Sequence, residues 1–141
     1  MILEKIAKKN PKGNCGLTPL HLAVQKGHSK IYELITKDFK DKNPKIFGKQ
    51  TALHASAKIG HYDLCEIIMN NLKDKNPKMP NGQTPLHNAA EMGHLRICKT
   101  FLESIKNKNP RRKDGLTPYR LAANNRHFEI CNLYLKNGKN P

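Results

Sequence analysis

The sequence contains no tryptophan, and its four phenylalanines and four tyrosines leave it poor in aromatic residues. With 37 % hydrophobic residues it is thinly supplied for one compact core, yet it is not as polar as a disordered tail. No run approaches the roughly 18 apolar residues that a membrane span needs, which excludes an integral membrane protein of the helical kind. The opening MILEKIAKKNPK has neither a long apolar core nor a small-residue cleavage site, so no secretory leader is expected. Four cysteines are too few for a disulfide scaffold at this length. No P-loop, GxGxxG or HExxH occurs, and the three serines have no nucleophile setting, so no enzyme, cofactor or metal site is expected. Acid is also scarce: 11 Asp and Glu stand against 26 Lys and Arg, a formal charge of +15 over 141 residues. What remains is a soluble, basic, intracellular protein, cytoplasmic or nuclear, expected to be monomeric.

What is present is a repeat. Thr18, Thr51, Thr84 and Thr117 are each 33 residues apart. So are His28, His61, His94 and His127; Leu20, Leu53, Leu86 and Tyr119; and the Asn-Pro pairs at 10, 43, 76 and 109. The blocks read TPLHLAVQKGH, TALHASAKIGH, TPLHNAAEMGH and TPYRLAANNRH. Threonine is a good helix N-cap, and Pro19, Pro85 and Pro118 follow where a missing N–H costs nothing. Leu20, Ala23 and Val24 then line one helical face, and Gly27 tolerates the left-handed turn that ends the helix. A second helix reads Ile31, Leu34, Ile35, repeated as Leu64, Ile67, Ile68; Ile97, Thr100, Phe101; and Ile130, Leu133, Tyr134. Asn before Pro at 43, 76 and 109 stops it.

These blocks resemble the ankyrin repeat, with its T-P-L-H-x-A signature at a 33-residue period, over residues 12–141. The resemblance implies an all-α solenoid of stacked helix-turn-helix units joined by hairpin-like fingers. It implies no catalysis, and binding of macromolecules, mostly proteins, through the fingers and the concave face of the first helices. The expected division is one domain: a partial repeat or N-terminal cap helix at 1–11, then repeats at 12–44, 45–77, 78–110 and a terminal-like one at 111–141.

The pattern departs from the family in three places. The glycine that usually ends the second helix is replaced by Phe39, Leu72 and Ile105, each four residues after another apolar residue. That spacing predicts a second helix about one turn longer than usual, burying the extra side chain. In the second finger Gly48 precedes, and Lys49 occupies, the usual glycine position, which predicts an altered finger around Phe47. The fourth block has Tyr119, Arg120 and Arg126 where the others have Leu, His and Gly. Arginine in a left-handed turn should cost of order 1 kcal/mol.

All seven histidines fall in two repeat columns, 21, 54, 87 and 28, 61, 94, 127. Columns spaced by roughly 10 Å do not converge on a metal. The family instead implies that the TPLH histidine ties neighbouring turns together. Cys65, Cys98 and Cys131 form another column, too widely spaced for disulfides and better read as small buried side chains.

The charge also has an address. Segments 7–12, 40–45, 73–78 and 106–111, of the KDKNPK type, carry ten of the fifteen net charges. Stacked repeats would line them into a ledge whose expected contacts are Lys12, Lys42, Lys45, Lys75, Lys78, Lys108, Arg111 and Arg112. The family's variable contact positions fall on Asn14, Cys15, Leu17, Gln25 and Lys26, then Phe47, Gln50, Lys58 and Ile59. They continue with Asn81, Gln83, Glu91 and Met92, then Lys113, Asp114, Leu116, Asn124 and Asn125. Lys26, Ile59, Met92 and Asn125 share one column, with Ile59 and Met92 an apolar centre. The expected function is non-enzymatic protein binding as a scaffold or recruiting adaptor, toward a partner that could be acidic. The alternative is a basic module for nucleic acid or anionic lipid.

Overall fold

In the computed structural model, which describes residues 18–136, the helices come in four pairs. The first helices are α1 (Pro19–Lys26), α3 (Ala52–Ile59), α5 (Pro85–Met92) and α7 (Pro118–Asn124). The second helices are α2 (Ser29–Thr36), α4 (Tyr62–Asn70), α6 (Leu95–Ser104) and α8 (Phe128–Lys136). Between the first two pairs lies a hairpin, β1 (Lys45–Phe47) and β2 (Gln50–Thr51). The expectations placed on residues 1–11, on Lys12, and on Asn14, Cys15 and Leu17 lie outside the described residues.

Each first helix starts on its threonine. The Oγ1 of Thr18, Thr51 and Thr84 accepts the backbone N–H of His21, His54 and His87 at 3.3 Å, and that of Thr117 accepts Arg120 N–H at 3.2 Å. Losing such a cap costs about 1 kcal/mol. Each first helix ends in a left-handed residue: Gly27, Gly60, Gly93 and, in the fourth pair, Arg126 at φ 62°. The next N–H then reaches back five residues, as in His61 to the Ser56 carbonyl at 3.0 Å and His127 to Ala122 at 2.8 Å. This closes helix carbonyls that would otherwise lack a partner.

The Asn-Pro asparagines join one pair to the next. Oδ1 of Asn43, Asn76 and Asn109 accepts the N–H of Leu53, Leu86 and Tyr119 at 2.7, 3.1 and 3.2 Å, the second residue of the following first helix. The core runs continuously through the stack. Leu53, Ala57, Leu64, Leu86, Ala90, Cys98, Phe101 and Tyr134 are fully covered. Alanines on the first helices let their backbones approach. The first pair differs. Leu22 and Ile31 are exposed, whereas their counterparts Ala55, Asn88, Leu121 and Leu64, Ile97, Ile130 are buried.

The longer second helix predicted from Phe39, Leu72 and Ile105 does not form. α2 ends at Thr36, α4 one residue past Met69, and α6 two residues past Leu102. The reason is a lysine. Lys42 Nζ donates to the carbonyls of Thr36 and Lys37 at 2.9 and 2.8 Å. Lys75 Nζ does the same to Met69 and Leu72 at 2.7 and 2.8 Å. Lys108 Nζ reaches Leu102 and, at 2.9 Å, Ile105. A cation on the last carbonyls satisfies both their hydrogen bonding and the negative end of the helix dipole. The chain then turns, and Phe39, Leu72 and Ile105 fold back half-buried onto the core from the loop.

The second finger is altered as predicted. Gly48, at φ 62°, opens a two-residue turn between Phe47 and Gln50, with a register shift between Lys45 and Phe47. In the third finger Gly82 N–H donates to Met79 and Met79 N–H to Gln83, both at 2.8 Å, closing a three-residue loop. Moving the glycine one position earlier shortens the turn, and the shift in register absorbs the difference.

Candidate functional site

The two histidine columns are spent on joining neighbouring pairs. In the first, Nδ1 faces the threonine cap, with Thr18 and Thr84 N–H donating to it at 3.1 Å. That leaves the proton on Nε2, which donates to the next finger. His54 reaches the Gln83 carbonyl and His87 the Leu116 carbonyl, both at 3.1 Å, and His21 reaches Ile46. Burial lowers the His54 pKa and takes His87 down to about 4, so both rings are neutral near pH 7.

In the second column the ring points backward. His61, His94 and His127 place Nε2 at 2.9, 2.9 and 3.0 Å from the carbonyls of Gln25, Lys58 and Glu91. Each ring lies over the glycine of the preceding pair, His61 over Gly27, His94 over Gly60 and His127 over Gly93. A Cβ on Gly27, Gly60 or Gly93 would sit 2.5 to 2.6 Å from a ring atom. Those glycines therefore serve two needs, a left-handed backbone and room for the next histidine. Among the described residues no three His, Cys, Asp or Glu side chains are grouped to hold a metal.

The thiols of Cys65, Cys98 and Cys131 are free and buried. Burial raises Cys65 and Cys98 to about 12, leaving them without thiolate character at neutral pH.

Exposed contact candidates on the first helices are Gln25, Lys26, Lys58, Ile59, Met92, Asn124 and Asn125; Glu91 is half-buried. Ile59 and Met92 are 43 % and 48 % exposed at the same position of α3 and α5. At the finger tips Asn81, Lys113 and Asp114 are exposed.

Other candidates are committed inside the fold. Gln83 is only 8 % exposed, and its side chain joins Arg112 Nη1 at 2.7 Å to Asn88, which donates to the His54 carbonyl at 3.1 Å. It bridges fingers rather than facing a partner. Phe47 packs edge-on to the His21 ring at 4.9 Å, and Gln50 and Leu116 are half-buried. Arg112 also pairs with Asp114 at 2.6 Å, and that hydrogen bond brings the Asp114 carboxyl down to about 2.

A family model described as ankyrin repeats (three copies) matches the chain twice, over residues 1–79 and 53–141. The chain belongs to the ankyrin-repeat family. A comparison with curated proteins finds no match. Ankyrin repeats are in general protein–protein interaction modules, and the family is typically non-enzymatic. No helix among the described residues is long and apolar enough to cross a membrane.

In this ankyrin array the basic ledge separates into two sets. Lys42, Lys75 and Lys108 were expected as contacts, but they are half-buried helix caps, and Arg112 is tied between Gln83 and Asp114. Lys45, Lys78 and Arg111 are exposed. So are Lys40, Lys73 and Lys106, which lie in the same charged segments but were not among the expected contacts. The signal was present: a lysine stands three residues after each position where the family's helix-ending glycine is missing. Position two of each motif holds an Asx turn, with Asp41, Asp74 and Asn107 accepting the N–H of Asn43, Asn76 and Asn109 at 2.9, 3.1 and 3.3 Å.

Proposed function

We propose that this ankyrin array is a non-enzymatic recruiting adaptor that binds a partner protein through the exposed face of its first helices. The contact column is Lys26, Ile59, Met92 and Asn125, flanked by Gln25, Lys58, Glu91 and Asn124, with the finger tips Asn81, Lys113 and Asp114 beside it. The observation that carries this reading is the pair of exposed apolar side chains, Ile59 and Met92, at one position of consecutive helices. An apolar centre with a polar surround is the usual composition of an energetic hot spot. The platform is also held still. The carbonyls of Gln25, Lys58 and Glu91 are each gripped by a histidine of the next pair, so little ordering remains to be done on binding.

In this reading the chain is one domain of four repeats with the boundaries given above, and acts as a monomer. Three free buried thiols fit a reducing compartment, cytoplasm or nucleus. The test is affinity capture from cell extract with the wild type and an Ile59→Glu/Met92→Glu variant. Both positions are exposed, so the variant should melt with the wild type. It should lose the partners that the wild type retains. Identical partner sets from two equally folded proteins would overturn the reading.

A further inference from the structure

The exposed lysines form a second surface, separate from the first-helix face. Between the loop that follows α4 and the loop that follows α6 lies an open cleft of about 580 Å³. Lys73 and Lys78 stand on one side and Lys106 on the other. All three are exposed, and none makes a hydrogen bond or ion pair among the described residues. The neighbouring Lys75 behaves differently, being spent on the Met69 and Leu72 carbonyls. Asp74 is the cleft's carboxylate, and its Oδ1 holds the Asn76 N–H. In the next loop Asn107 makes the same turn without the charge. The turn does not require an acid, and the cleft is strongly positive on balance.

We propose that this cleft binds an extended acidic polypeptide segment, with its carboxylates meeting Lys73, Lys78 and Lys106. Three observations select that occupant. Local folding accounts for the capping lysines, the turn residues and the Asn-Pro pairs, but not for the outer cations. The spacing fits a strand. Consecutive helix pairs stack at about 10 Å, and an extended chain advances about 3.3 Å per residue, so an acid at every third position meets one loop after another. Nucleic acid fits less well, because base stacking needs exposed aromatic faces. Near the ledge Phe39 folds back on the core and Phe47 packs on His21.

The experiment is fluorescence anisotropy on the full chain at low salt. The probe is a labelled twelve-residue peptide of Glu-Gly-Ser repeats; the comparison probe is oligo-dT of the same charge. Three variants are titrated: Lys73→Gln/Lys78→Gln/Lys106→Gln, Lys75→Gln, and Ile59→Glu/Met92→Glu. The triple variant should bind the peptide at least tenfold more weakly with an unchanged melting temperature. Lys75→Gln should lower the melting temperature and weaken binding less than threefold. The first-helix variant should bind the peptide like the wild type, which separates this site from the face proposed above. Equal peptide binding by the triple variant would overturn the proposal. So would oligo-dT binding tenfold tighter than the peptide, which would assign the ledge to nucleic acid.

Discussion

The junction between the second and third helix pairs and the far side of the fourth pair use the same repeat positions differently. At the junction, Gly60 is left-handed and leaves room for the His94 ring, whose Nε2 holds the Lys58 carbonyl. His54 on the same pair holds the Gln83 carbonyl of the next finger. On the fourth pair the matching residues are Arg126, still left-handed at φ 62°, and Arg120, exposed. No further histidine ring or finger faces them among the described residues. Leu135 tells the same story. It is 55 % exposed, whereas its counterparts Thr36, Met69 and Leu102 are buried. The difference separates two causes of one residue choice. Glycine at the turn is needed less for its backbone conformation, which arginine also adopts here, than for the ring that must lie above it.

The largest test of that claim is Gly60→Ala. The new Cβ would meet His94 Cε1 at 2.6 Å in a left-handed backbone of φ 100°. Strain of about 1 kcal/mol and overpacking of about 1–3 kcal/mol both oppose folding. We expect a loss of about 2–4 kcal/mol in urea unfolding. A loss below 1 kcal/mol would mean that the ring moves aside without cost and that the two regions do not differ in this way.

The next effect is acid sensitivity of the junctions. His54 and His87 have their pKa lowered by burial, His87 to about 4, against 6.5 for an unperturbed histidine. The unfolded chain therefore binds protons that the fold refuses. The stability these neutral rings contribute is complete above about pH 6.5 and is lost as pH falls from there toward 4. The loss should be of order 2 kcal/mol, read as a falling melting temperature between pH 7 and pH 4.5. His87→Gln should flatten that slope. Arg120→His, which puts a histidine on the open side, should leave it unchanged. A steeper slope in Arg120→His would show that the open side is as closed as a junction.

The repeat, the helix pairs, their threonine caps and the buried cysteine column were all legible in the sequence, because each follows from a local rule copied at a fixed period. The misplaced features depend on contacts between side chain and backbone that periodicity does not report. Phe39, Leu72 and Ile105 have helical spacing from the residues four before them, and only the lysine three positions later reveals that the helix has already closed. Gln83 looks like a variable finger residue, yet Arg112 and Asn88 from two different pairs converge on it. The three cations around each Asn-Pro look equivalent as charges. Their roles divide by geometry, one reaching back to a helix end and its neighbours pointing to solvent. The face of Ile59 and Met92 was visible as exposed apolar residues in one column, whereas nothing in the sequence marks how firmly the carbonyls beside it are held.

Lysine caps sharpen the comparison at smaller size. Lys75→Gln removes a cation from the Met69 and Leu72 carbonyls and should cost about 1 kcal/mol, while Lys78→Gln should cost about nothing, since its side chain is exposed. Equal losses would return the ledge to a single electrostatic set. The smallest effect is the reverse of the first. Arg126→Gly removes the left-handed strain of about 1 kcal/mol, and part of that gain is cancelled by the greater freedom of glycine in the unfolded chain. The net should be stabilising by about 0.5 kcal/mol, against a loss of several times that for Gly60→Ala at the same repeat position. Opposite signs at equivalent sites would assign the glycine at the turn to the histidine ring above it. If Arg126→Gly destabilises instead, the arginine side chain holds that turn through contacts of its own, and the backbone conformation alone does not set the residue choice there.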